Sequence, residues 1–155
     1  MMGTYASSTD VSSDRSRSEI ERTLVRYGAT SFSYGWEAAR AAIQFVKDGK
    51  RIRFTLPLPD RNDREFTHHS RGVRTATAAE AAYEQAVRQR WRALALVVKA
   101  KLEAVDAGIT SFEEEFLAHL VLPSGASVFE SVAPAIEQAY STGDTRPLLQ
   151  IGGAA

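Results

Sequence analysis

The side chains with chemical reach in this chain are cations set close together. Lys47, Lys50, Arg51 and Arg53 crowd one short stretch, and Arg61, Arg64, Arg71 and Arg74 follow soon after. Arg88, Arg92 and Lys99 then recur at helical spacing, within about 40° of one another on a helical wheel. Cations in this number suit phosphate oxygens: the planar guanidinium offers a bidentate fork, and the ammonium a compact point charge. Tyr34, Trp36 and Phe66 lie near them in sequence and offer flat rings on which bases can stack. The expected chemistry is a groove for single-stranded DNA, with phosphates on the cations and bases on the rings. The competing use of the same cations is pairing with Glu84, Glu103 or the acidic C-terminal third.

Two smaller constellations point less clearly to chemistry. His68 and His69 follow Asp60, Asp63 and Glu65, a composition that suits a metal. Adjacent histidines in an extended segment do not easily turn both rings to one ion, and four arginines flank the carboxylates, so no metal site is expected. Glu115 and His119 are four residues apart and share a helix face, which would allow an acid–base pair. The run Glu113-Glu114-Glu115 is better suited to the positive end of a helix. There is no Cys, no Gly-rich phosphate loop and no Ser nucleophile elbow. A non-enzymatic protein without a cofactor is the expectation, with a self-assembling structural or protein-interaction module as the alternative and a metal-dependent nuclease or hydrolase using the 60–69 loop and His119 as the second.

Whole-chain charge taken as one sum argues against a polyanion partner, since 19 Lys+Arg balance 19 Asp+Glu over 155 residues. The balance is made of opposed blocks. Residues 40–101 carry 14 positive and 6 negative side chains, a net of +8. Residues 102–155 carry 1 positive and 8 negative, a net of −7. Such asymmetry suits either a polyanion or head-to-tail self-association into a homo-oligomer.

The elements that must position these residues are legible from period and punctuation. Residues 1–15 are Ser/Thr-rich and unpatterned, and are expected to be a flexible arm. A capping box at Ser16–Glu19 opens a helix over about 17–27, with Ile20, Leu24 and Tyr27 on one face and Gly28 as its stop. Alternation then predicts strands over about 30–36, 41–47 and 52–56. Asp48-Gly49 joins the last two, because Gly supplies the positive φ of a tight turn. Residues 60–76 read as a long polar loop. A capping box at Thr77–Glu80 is expected to open a long helix ending near 107. Its stripe is Tyr83, Val87, Trp91, Leu94, Val98, Leu102 and Val105. Boxes at Thr110–Glu113 and Ser127–Glu130 open two short helices, the second expected to kink or restart at Pro134. The tail from 144 is expected to be loose. The fold class is α+β: an N-terminal helix, a three-stranded antiparallel meander, a long helix and two short ones, forming one domain over 16–143. With no long apolar run and no apolar leader, a cytoplasmic protein without membrane contact is expected.

The run from Arg88 to Val105, the stretch Ala107–Thr110, Phe112–His119 with Leu122-Pro123, and the segments 16–28 and 32–35 resemble a small protein of tailed phages and prophages. The likeness spans about residues 11–149. That family has no characterised activity, so the resemblance implies a phage context, hence the host cell cytoplasm, and no functional residues. The order of meander and long helix is also similar to the core of single-strand annealing proteins of the Redβ and RecT kind. Those hold single-stranded DNA in a basic groove between hairpin and helix. The resemblance implies an accessory role in recombination or replication.

Overall fold

The computed structural model describes the backbone of residues 3–149, with side chains over 13–148. Helix α1 runs Gly3–Arg26, and strands β1 Ser31–Trp36, β2 Arg40–Lys47 and β3 Lys50–Pro57 form an antiparallel sheet in the order β1-β2-β3. The helix-rich half follows: α2 Arg64–Thr67, the small hairpin β4 His68–His69 and β5 Gly72–Val73, α3 Ala76–Asp106, α4 Phe112–Phe116, a 3-10 turn Leu117–His119, α5 Val128–Thr142 and α6 Arg146–Leu149. This is the α+β order read from the sequence.

Register fixes which side of the sheet each residue serves. Ile43 pairs with Phe54 and Phe45 with Ile52, and all four are buried. Their face receives the stripe of α3, whose Val87, Trp91, Leu94, Val98 and Leu102 share one core with them and with Ile20 and Leu24 of α1. Side chains alternate along a strand, so Arg51 and Arg53 leave from the opposite face. The turn between β2 and β3 has positive φ at Asp48 (51°) and at Gly49 (75°), which matches the right-handed twist of the two strands.

Several boundaries differ from the sequence reading. α1 begins at Gly3, so the expected flexible arm is helical over 3–15, and Ser16 lies inside the helix rather than capping it. Ser13 and Arg17 are buried, and long-range packing of that kind holds a helix that propensity alone does not require. The expected loop over 60–76 holds α2 and the β4–β5 hairpin, organised by Phe66, which is buried edge-to-face against Tyr83 at 5.7 Å. The cap of α3 is Thr75, two residues before the expected one, its hydroxyl accepting from the Ala78 amide. The cap of α4 is Ser111, paired with Glu114, and not Thr110. Ser127 and Glu130 form the expected box of α5. That helix passes through Pro134 without a break, and ends at Gly143 in the left-handed conformation. The expected loose tail includes α6 over 146–149, and its remainder lies outside the described residues. Among the described residues no helix is long and apolar enough to cross a membrane.

Candidate nucleic-acid interface

The cations of residues 40–101 divide into those the fold uses and those it leaves open. Six of the fourteen have a carboxylate within 4 Å: Arg40 with Glu37, Lys47 with Asp48, Lys50 with Glu113, Arg53 with Glu130, Arg61 with Glu80 and Lys101 with Glu115. Three of these pairs reach into the acidic block. Lys50 donates to Glu113 at 2.8 Å, and this contact holds the Glu113 carboxyl below its ordinary value. Arg53 donates to the Gly125 carbonyl at 3.1 Å and approaches Glu130 at 3.4 Å. Lys101 donates to Glu115 at 3.1 Å. The acidic third thus clasps the hairpin and the far end of α3.

Among the described residues no carboxylate pairs with Arg51, Arg64, Arg71, Arg74, Arg88, Arg90, Arg92 or Lys99. Arg90 instead donates to the Pro57 carbonyl at 2.8 Å. Arg88, Arg92 and Lys99 form one flank of α3, with Arg92 and Lys99 exposed and Arg88 half-buried. Glu84, an expected partner, is buried, with one carboxylate oxygen lacking a hydrogen bond.

A single groove made of hairpin, loop and helix is not what the topology builds. Lys47 and Lys50 lie on the sheet face that α3 covers, Lys47 with its ammonium 5.3 Å from the Phe112 ring centre. Arg51 and Arg53 lie on the other face. Arg64, Arg71 and Arg74 belong to the α2–β5 excursion, where the Arg74 Nε is buried without a partner. The α3 flank belongs to the helical layer.

The aromatic candidates also separate. Tyr34 and Trp36 point to the same side as Ile43 and Ala41, their register partners. The Tyr34 ring is already taken on one side, because the Arg17 guanidinium lies over it at 4.4 Å and over Trp91 at 5.4 Å. Arg17 is also paired with Asp14. Phe66 is core and offers no platform. Trp36, 72% exposed, stands between two clefts of about 530 and 520 Å³. Arg40, Arg53 and Thr55 line the first, and Leu58, Arg61, Asn62 and Tyr83 the second. Arg40 and Arg17 are contacts that spacing alone did not bring forward, since one sits at a strand end and the other in the expected capping box of the first helix.

The histidines are held by local bonds. The His68 Nδ1 lies 2.8 Å from the Thr67 hydroxyl, and the His69 Nδ1 accepts from the Arg71 amide at 3.0 Å. Among the described residues no group of three His, Asp or Glu side chains is placed to hold a metal ion. Glu115 does not pair with His119. It faces Lys101, while the His119 ring stacks on Phe54, 3.9 Å between centres and 20° from parallel.

Burial lowers the His119 pKa from its ordinary value, helped by the nearby Lys101 ammonium. The unfolded chain therefore takes up this proton before the folded one does. Stability is full above about pH 6.5, the free imidazole value, and declines as pH falls below it. The melting temperature is expected to drop between pH 7.5 and pH 5.5. In His119→Phe, which keeps a ring on Phe54, that drop should shrink; an unchanged drop would place its source elsewhere.

No family model, no curated protein and no solved structure matches this chain.

Proposed function

We propose that this chain is a nucleic-acid-binding accessory protein that holds single-stranded DNA through cations its own acidic block does not neutralise. The observation that carries the reading is the open flank of Arg88, Arg92 and Lys99 on α3, for which no carboxylate partner occurs among the described residues. Arg51 on the other face of the sheet, and Arg64, Arg71 and Arg74 on the α2–β5 excursion, are further cations without a carboxylate partner among the described residues, and Trp36 supplies the stacking ring. Lys47, Lys50 and Arg53 contribute less to phosphate contact, because each already faces a carboxylate. The protein needs no catalytic group for this role. The resemblance to a small tailed-phage family, and the similarity in element order to annealing proteins, support a place in phage recombination or replication inside the host cytoplasm.

The test is a fluorescence-anisotropy titration with labelled single- and double-stranded oligonucleotides at two salt concentrations. Three phosphate contacts on a single strand give a salt slope of about −2, so raising salt from about 50 to 200 mM should weaken binding roughly 20-fold. Binding indifferent to salt, or none at the lower concentration, would overturn the reading.

A further inference from the structure

α5 is amphipathic, yet the fold buries none of its residues. Phe129, Ala133, Ile136 and Tyr140 recur at spacings of 4, 3 and 4 and so form one strip along it. Phe129 is 59% and Tyr140 88% exposed, a poor use of aromatic area in water. Glu137 borders this strip and pairs with no cation among the described residues.

A second uncovered strip lies on α3, on the side turned away from the core. Gln89, Ala93, Leu96 and Ala100 repeat the same spacings of 4, 3 and 4, with Val97 beside them. Leu96 is 58% and Val97 44% exposed. Arg92 and Lys99 border this strip.

The two strips complement each other. Both carry the seam spacing with which helices pack side chains between one another's turns. One presents large rings and the other a floor of alanines around Leu96 and Val97. One has an acidic border and the other a basic one. Among the described residues nothing covers Phe129, Ile136 or Tyr140 on one strip or Leu96 and Val97 on the other, and only Ala133 is half-buried, so the α5 strip does not satisfy the α3 strip of its own molecule.

We propose that the α5 strip of one molecule docks on the α3 strip of a second copy of this chain. The contact is heterologous: each molecule offers one strip of each kind, and the assembly can grow into a ring or filament. It is made by apolar side chains and does not depend on the nucleic-acid reading, although Arg92 and Lys99 border both surfaces.

Sedimentation velocity without nucleic acid tests this on the full chain. Two variants each remove one strip while keeping good helix formers: Leu96→Gln/Val97→Gln and Phe129→Gln/Tyr140→Gln. All four residues are exposed, so each variant should keep the melting curve of the unmodified protein. The unmodified chain should gain mass with concentration beyond a dimer. Each variant alone should sediment as a monomer. An equimolar mixture of the two should yield a species of twice the monomer mass and nothing larger, since each supplies the strip the other lacks. An unmodified chain that stays monomeric on concentration, a variant that assembles unimpaired, or a mixture that stays monomeric would each overturn the proposal. Even if a variant fails to fold, an unmodified chain that stays monomeric across the dilution series overturns the proposal.

Discussion

Replacing Arg88, Arg92 and Lys99 together by alanine is expected to lower affinity for single-stranded DNA by up to about 100-fold at low salt. Each exposed cation is worth at most about 1 kcal/mol in such a contact, and 1.4 kcal/mol is tenfold. The salt slope should flatten by about 2, the share of three phosphates on a single strand. Alanine is the best helix former, and these side chains lie off the buried stripe, so α3 should persist and the melting temperature should barely move. The contrast that gives the result meaning is Lys50→Ala with Arg53→Ala. These two cations already face Glu113 and Glu130, so their loss should weaken binding far less than loss of the flank does. Equal losses from both sets would show attraction by overall charge, and the assignment to α3 would fall.

Phe116→Ala is expected to cost about 3–5 kcal/mol of stability, the range for emptying a fully buried aromatic position. The Phe116 ring has no solvent exposure. It meets Phe45 edge-to-face at 5.8 Å and Phe54 at 6.1 Å, and leans on Phe112 at 4.9 Å. It therefore ties α4 to the inner face of β2 and β3. α4 has only five residues, far too few to persist without packing. Its anchoring in turn holds Glu113 and Glu115 against Lys50 and Lys101. Urea unfolding reads the effect, with Leu117→Ala as the control, since Leu117 is exposed and its loss should cost about 0.5 kcal/mol or less. A loss below about 1 kcal/mol for Phe116→Ala would mean that the acidic segment is not docked on the sheet.

The local features were open to reading in the chain itself, because short-range physics decides them. The α3 stripe keeps the helical period from Tyr83 to Leu102, and every one of those positions is buried. Asp48-Gly49 can adopt the positive φ values of a two-residue turn, and the Lys47–Lys50 register follows. Ser127 and Glu130 satisfy each other's orphan groups, so α5 starts where the box is written. The errors share one cause. Thr75, two positions before Thr77, competes for the same cap, and an expected arm becomes helix once Ser13 within it is buried together with Arg17 just beyond it. In neither place does the local pattern carry the deciding contact.

The candidate site divides along the same line. Amino-acid order alone determined that the chain is a basic middle joined to an acidic end, and which cations share a strand or a helix flank. It also determined that Ile52 and Phe54 face away from Arg51 and Arg53, since alternation along a strand is a property of the backbone. Only the tertiary structure decided which charges cancel. Lys50 and Glu113 are 63 residues apart, and Arg53 and Glu130 are 77, so their meeting depends on how α4 and α5 fold back on β3. Only the tertiary structure, too, showed that no described residue covers the rings of the α5 strip or Leu96 and Val97 on the outer strip of α3, because coverage depends on what the rest of the chain places beside a face. A net charge of zero is a sum over the sequence, whereas the charge available to a partner is what remains after the fold has paired its own.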